Sequence, residues 1–223
     1  MDDYLNAEMQ KWDKVKELMP QRTLRLGGHW SYNLWNDPKR LAFVLSRYKF
    51  AAKMGSRDMN VCELGCSEGI GTPILAEFAK KYVGVDMDGD AIASAKRNWV
   101  SEKVSFVEAD FIGKSFGTFD TVVSLDVVEH IQPSYEAHFF DTLSLNLARD
   151  GIAIIGTPNS TSAQYASAAS MEGHVNLFDG KRLCAALGRL FHTVFLFSGN
   201  DEIIHTGYTP MAHYLIALGC DRK

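Results

Sequence analysis

From Asn60 onward the chain repeats one pattern, a short apolar run of strand character followed by a stretch of helical length. The strand-like runs are NVCELG (60–65), KYVGVDM (81–87), KVSFVEA (103–109), FDTVVSLD (119–126) and GIAIIGT (151–157), and helix-like stretches 71–80, 88–100 and 134–148 lie among them. Strands separated by helices predict βαβ units, so these runs should pair in parallel through right-handed crossovers. After a further helix at 179–190 the pattern changes. HTVFLFSG (192–199) and MAHYLIALGC (211–220) follow with only a polar turn region between them. Two strands with no intervening helix predict a closing antiparallel hairpin. The expectation is an α/β fold with seven strands.

The segment before this core is helical. Leu5, Met9, Trp12, Val15 and Met19 give residues 4–19 an amphipathic pattern that Pro20 stops. LGGHWSYNLWND (26–37) reads as a loop, and Asp37-Pro38 opens a second helix to about Met54, as an N-cap followed by a first-turn proline. Residues 1–55 are thus expected as a helical cap on a core of 56–223, within one domain. A chain of 223 residues supports one large core and not two comfortable ones.

Composition narrows the partners. The formal charge of −4 gives no basic footprint for a nucleic-acid backbone. No apolar window approaches the roughly 18 residues a membrane span needs, and the first residues lack a signal peptide's apolar stretch. Cys62, Cys66, Cys184 and Cys220 form no CxxC pair and read as reduced core residues. A cytoplasmic chain acting on a small molecule is expected, with neither nucleic acid nor membrane as partner and the oligomeric state open.

The chemistry concentrates in VCELGCSEGIGT (61–72). Glycines after a first strand let a ligand approach the backbone, and the following helix start offers free N–H groups. A dinucleotide loop would read GxGxxG, but Ser67 stands at the second glycine and Glu68 would place a negative charge where a pyrophosphate sits. No GK[ST] follows, which excludes a P-loop. A cofactor with a cationic end fits better. Glu63 ends strand one near where a sulfonium or ammonium would lie. Asp86, 21 residues past Gly65, ends strand two as an acceptor for two ribose hydroxyls, and Asp110 after strand three suits an adenine amino group.

This series resembles the class I S-adenosylmethionine-dependent methyltransferases, with ExGxxxG at 63–69, an acid ending strand two, an acid pair after strand three and an apolar strand four, over residues 58–158. The resemblance implies a Rossmann-like, mostly parallel seven-stranded sheet with an antiparallel C-terminal hairpin and an N-terminal helical cap. It also implies S-adenosyl-L-methionine as cofactor. Glu63, Gly65, Cys66, Ser67 and Gly69 would contact its methionine part, Asp86 and Met87 its ribose and adenine, and Asp110 and Phe111 its adenine. Leu125 would lie behind the sulfonium. His29, Tyr32 or Arg47 would reach the methionine carboxylate.

For the methyl acceptor, strand four ends SLDVVEHI and lacks the Asn/Asp-Pro-Pro-Tyr of base-amine methyltransferases. Asp126, Glu129 and His130 share a face at helical spacing and are the candidates to ligate a divalent cation. The stretch is similar to ubiquinone-biosynthesis O-methyltransferases, whose ExxEH carries a metal. Comparable strings also occur in metal-free members, and the expectation here is no metal. The long polar loop GTPNSTSAQYASAASMEGHVNLFDG stands over the sheet edge and offers Asn159, Tyr165 and Asn176 to a substrate. His174 is the first candidate for a general base and His130 the second, since imidazole suits neutral pH. The TPN…GHVNLF and HTGYTPMAHYLIAL segments resemble methyltransferases of bacterial surface-polysaccharide loci, which would place His205, Thr206 and Tyr208 at the substrate. The expected reaction is methyl transfer to a hydroxyl or amine of a small polar acceptor, sugar-related. A nicotinamide-dependent oxidoreductase, a non-catalytic module holding the cofactor and a quinone-type O-methyltransferase are the rivals.

Overall fold

The computed structural model describes residues 2–19 and 23–223. Pro20, expected to stop the first helix, lies outside them. The helices before the sheet are α1 (Asp2–Leu18), α2 (Gly28–Asn36) and α3 (Lys39–Gly55). Five strands then run in parallel: β1 (Asn60–Leu64), β2 (Lys81–Asp86), β3 (Val104–Glu108), β4 (Phe119–Leu125) and β5 (Leu147–Pro158). They are linked by α4 (Thr72–Phe78), α5 (Gly89–Trp99) and α6 (Glu136–Asn146). The chain continues through α7 (Ala168–Gly173), α8 (Gly180–Leu187), β6 (Phe191–Asn200), β7 (Ile203–His205) and β8 (Tyr214–Arg222).

Among the described residues these strands form one sheet in the order β3-β2-β1-β4-β5-β8-β6-β7. The strand order reverses between β1 and β4, so the crevice above that point, at the strands' carboxyl ends, is where such a sheet binds ligands. β8 runs antiparallel between β5 and β6, which gives the expected antiparallel ending. The sheet has eight strands rather than seven, because the three-residue β7 adds to the outer edge of β6.

Helices cover both faces. Cys62, Leu64, Val122 and Ile155 pack with Phe139, Phe140 and Leu183 of α6 and α8, while Val61, Tyr82, Val123 and Ile154 pack with residues of α3, α4 and α5. With both faces covered, β1 is buried at every position from Val61 to Leu64, as expected of a parallel strand. α3 is part of this core through Val44, Tyr48, Ala51 and Ala52. α1 is different, for Leu5, Met9, Trp12 and Val15 are all exposed. No helix among the described residues is long and apolar enough to cross a membrane.

The clearest departure from the sequence reading is α2, which forms where LGGHWSYNLWND was expected as a loop. The signals that favour a loop, a Gly-Gly pair with no capping side chain before the helix, are overridden from a distance. Glu68 of the glycine loop accepts the backbone N–H of His29 at 2.8 Å and that of Trp30 at 3.3 Å. These are among the free donors of a helix start. A Cβ at Gly27 would fall on the Glu68 carboxylate and push this cap aside.

Candidate functional site

The loop after β1 is held open by left-handed backbone. Gly65, Ser67 and Gly69 have φ of +84°, +47° and +72°. A Cβ on Gly65 would collide with Val127, which leans in from the turn after β4. The Gly65 and Cys66 N–H groups donate to Val85 O at 2.8 and 3.1 Å, tying the loop to β2. Asp86 accepts the Ser67 N–H at 2.7 Å and the Asp88 N–H at 3.0 Å. Two backbone donors fix this carboxylate beside the glycine loop at the switch point. Met87 next to it is 71% exposed and offers an apolar surface. Asp110 is exposed at the end of β3, where it accepts from Ile112 N–H at 3.1 Å.

Several expected cofactor contacts are placed elsewhere. Glu63 is fully buried beneath the loop, where Tyr48 Oη donates to it at 2.6 Å and Tyr82 Oη donates to its other oxygen. Burial raises its pKa to about 7, against the pull of the two tyrosine hydrogen bonds. Its carboxyl is a strut between β1, β2 and α3 and not a surface for a cation. Cys66 is buried with its Sγ directed at Gly84, so only its backbone belongs to the loop surface. Phe111 packs against Phe139 inside the core and presents no ring to an adenine. Leu125 is buried at the end of β4, where it packs close to Gly156. Tyr32 lies on α2 with 64% exposure, and His29 is exposed at that helix's start.

Arg47 is also committed. Its Nη1 donates to both oxygens of Asp126 at 2.9 and 3.1 Å, and its guanidinium lies 3.5 Å from the centre of the Tyr214 ring. Burial works most strongly against the Arg47 charge, but the Asp126 carboxylate and its hydrogen bond, with Tyr214 and Glu129, together outweigh it and its pKa rises. Asp126 itself sits at φ +58°. The ion pair commits Nη1 of Arg47 and ties Asp126 to α3 at the cavity wall.

Beyond that pair opens a cavity of about 530 Å³, walled by α3, the turn after β4, the loop after β5 and the start of β8. Arg40, Phe43 and Arg47 reach it from one face of α3, at the three-, four- and seven-residue spacings that align side chains on a helix. Glu129, His130, Tyr165, His174, His213 and Tyr214 are part of its polar lining, with Asp37, Asp126, Asp201 and the serines of the loop after β5. Three buried side-chain polar atoms among the described residues have no partner, Ser56 Oγ, Glu129 Oε1 and Tyr214 Oη, and the last two belong to residues of this cavity. Buried polar groups are rarely left unpaired without reason. Glu129 Oε2 accepts the Thr157 hydroxyl at 2.9 Å. Burial, with Asp126 next, pushes the Glu129 carboxyl up to about 8. His130 and His174 stack edge to face with centroids 5.0 Å apart. Burial and then His130 lower the His174 pKa, which favours its neutral form.

The cavity thus brings together His174, His130 and Tyr165 as the sequence suggested, and excludes others. Asn159 lines it, but its amide donates to Thr209 O and Ala212 O at 2.8 and 2.9 Å and so fixes the turn before β8. Asn176 is buried between Glu136 and Arg182, away from the lining. His205 bonds Asn200 and Gly207 on the sheet's outer edge. Thr206 and Tyr208 are exposed there, the latter by 72%. Of these only Asn159 stands in the cavity wall, and its amide is bonded to the scaffold. Sequence reasoning missed Arg40, His213 and Tyr214. Only Arg40 had a signal, its seven-residue offset from Arg47.

Comparisons with known proteins bear on the same region. A family model described as a methyltransferase domain matches residues 37–190. A probable S-adenosylmethionine-dependent methyltransferase from Mycolicibacterium smegmatis is 26% identical over 111 residues, covering 50% of this chain and 42% of that protein. A ubiquinone biosynthesis O-methyltransferase from Rhizobium johnstonii is 29% identical over 139 residues, 56% of this chain and 54% of that one. The chain spans about half the length of these curated relatives. Among solved structures, the N-methyltransferase NodS from Bradyrhizobium japonicum shares the fold with a TM-score of 0.61 at 18% identity, over 84% of this chain and 99% of that one. A TehB-like methyltransferase from Corynebacterium glutamicum does so with a TM-score of 0.62 at 14% identity, over 99% and 100%. With the family model spanning the glycine loop, the strand-end acids and most of the cavity wall, the chain belongs to the methyltransferase domain family.

Proposed function

We propose that this chain transfers a methyl group from S-adenosylmethionine to a hydroxyl or amine of a small polar acceptor, of the kind found in sugars and surface-polysaccharide precursors. The observation that carries the reading is a juxtaposition. A glycine loop with Asp86 fixed beside it meets Val127 of the turn after β4, and that same turn carries Asp126, Glu129 and His130 into a cavity with paired imidazoles and two unpartnered buried polar groups.

The residues present fit the cofactor. Left-handed backbone at Gly65, Ser67 and Gly69 turns the loop tightly after β1, and Val127 leaves no room for a side chain at Gly65. Asp86 supplies acceptors for ribose hydroxyls, and exposed Met87 flanks an adenine ring. Bound there, the cofactor supplies an electrophilic methyl carbon on a sulfonium. The chain's own part is to hold the acceptor in line and receive its proton. His174, kept neutral by burial, takes that proton on a ring nitrogen as the acceptor atom becomes nucleophilic. Glu129 and Tyr214 offer hydrogen bonds that orient the acceptor's remaining polar groups.

The similarity to ubiquinone biosynthesis O-methyltransferases supports a second reading, a quinol acceptor. The cavity's arginines, imidazoles and unpaired polar atoms favour the more polar molecule.

The test is calorimetric titration with S-adenosylhomocysteine and with NAD, then methyl transfer from labelled cofactor to sugar and catechol panels. S-adenosylhomocysteine should bind and NAD should not. Asp86→Ala should weaken that binding by on the order of 1.5–3 kcal/mol, the worth of a charge-assisted acceptor. NAD binding, or an Asp86→Ala dissociation constant equal to that of the parent, would sink the proposal. Binding without transfer to any acceptor would favour a non-catalytic module.

A further inference from the structure

We infer that Glu129, His130 and His174 form a binding site for one divalent transition-metal cation at the floor of the cavity. The inference stands on the geometry of this cluster and not on the methyl-transfer reading.

One carboxylate oxygen and two ring nitrogens from these residues lie within 4.8 Å of one another. They come from two separate pieces of chain, the turn after β4 and the residue ending α7. Backbone hydrogen bonds clamp the two pieces together. The Val175 and Asn176 N–H groups both donate to Glu129 O, at 2.9 and 3.0 Å, and His174 N–H donates to Ser170 O at 2.9 Å. The cluster is therefore built by the fold rather than by chance approach of surface side chains.

Each candidate ligand atom is prepared. The Glu129 side chain is 1% exposed, and the Thr157 hydroxyl fixes its Oε2 while Oε1 has no partner among the described residues. His130 Nδ1 lies 2.9 Å from Gly173 O. A carbonyl can only accept, so Nδ1 carries a proton, and in the neutral ring the lone pair lies on Nε2. Metal-ligating histidines are commonly oriented by such a bond to the other nitrogen. Zinc–nitrogen bonds are about 2.0–2.1 Å, so the three atoms must close to roughly 3.4 Å around a tetrahedral ion. His130 is exposed and His174 half-buried, which leaves both rings room to turn inward.

The site differs from the one the sequence spacing suggested. The DxxEH pattern would use Asp126, Glu129 and His130, a set dominated by oxygen. Asp126 has instead given both oxygens to Arg47, and His174 takes the third place. Two imidazoles and one carboxylate suit zinc, cobalt or nickel, whereas magnesium prefers oxygen ligands and resists losing its water. With three protein ligands and an open cavity beside them, a fourth position is left for water or an acceptor oxygen.

The experiment is titration of the purified, EDTA-treated full chain with cobalt(II), read by its visible ligand-field bands, and with zinc and magnesium by calorimetry. One cobalt or zinc ion should bind per chain, and magnesium should bind far more weakly. Loss of a ligand should cost at least the roughly 10–100-fold seen when only outer-shell partners are removed. His174→Ala, a change in a half-exposed loop, should show that loss, and so should Glu129→Gln. Asp126→Asn and the distant, exposed His192→Ala should bind as the parent does. The inference is overturned if no stoichiometric binding occurs, if His174→Ala binds unchanged, or if Asp126→Asn abolishes binding while His174→Ala does not.

Discussion

Glu68 stands 39 residues after His29 in the chain, yet its carboxylate closes the backbone N–H of His29 at 2.8 Å and so starts helix α2 from outside it. The same side chain belongs to the glycine loop. α2 and the candidate cofactor loop are therefore mechanically joined.

Removing that cap should loosen α2 specifically. Glu68→Ala should cost about 0.5–2 kcal/mol, the usual worth of a capping acceptor. Hydrogen–deuterium exchange should show faster exchange in the peptide covering residues 24–37, with the sheet peptides unchanged. Uniform protection across α2 in the variant would mean the helix is held by packing alone.

Ser67 occupies a left-handed conformation that costs a side chain roughly 1–2 kcal/mol, while glycine adopts it freely. Ser67→Gly should then stabilise the fold, after the added flexibility of the unfolded chain, by about 0.5–1 kcal/mol. The urea midpoint should rise and the Ser67 N–H contact with Asp86 should persist. A lower midpoint would show that the serine hydroxyl does more than the backbone strain costs.

Glu63 makes stability depend on pH in an unusual direction. Its folded pKa of about 7 lies above its ordinary 4.5, so the folded chain holds a proton that the unfolded chain has released. The contribution is complete below about pH 4.5 and is lost as pH rises to about 7, a swing on the order of 3 kcal/mol. Glu129, at about 8, acts in the same sense over a window reaching higher. Glu63→Gln should gain stability relative to the parent between pH 5 and pH 8 by about that swing. Parallel stability curves for the two proteins would exclude a protonated Glu63.

His174→Ala, assayed with EDTA so that the imidazoles are free, should lower kcat by about 10²–10⁴-fold for a hydroxyl acceptor, the usual contribution of a general base. Affinity for S-adenosylhomocysteine should stay the same, since Asp86 and the glycine loop lie apart from the cavity's imidazoles. With His174 shifted down by burial, the acid limb of the parent's rate profile should fall below the ordinary 6.5. Full activity in the variant would pass the role to His130.

The parallel strands and their acids were legible because apolar runs and helix-length gaps repeat locally. The direction of each acid was not. Glu63 sits between Cys62 and Leu64 in a strand buried on both faces, and nothing local says which helix layer receives its carboxyl. Asp86 ends its strand, so its side chain stays at the edge. Distant partners hid the rest. Arg47 meets Asp126 across 79 residues, and Asn159 spends its amide on carbonyls 50 and 53 residues away. Loop polarity reads as substrate contact in sequence, but much of it serves backbone groups that the fold would otherwise leave unpaired.

The position of β8 sets an order on assembly. It lies between β5 and β6, and β6 carries β7 outside it. When β6 and β7 leave the ribosome they have no edge to join, because β5 does not pair with them. They must wait as an unattached hairpin until residues 214–222 are made and threaded between. A stall in translation after residue 205 would leave the β5 edge and β6 both open to other chains, the exposure that leads to aggregation. The strand that closes this sheet is thus made after both of the strands it joins.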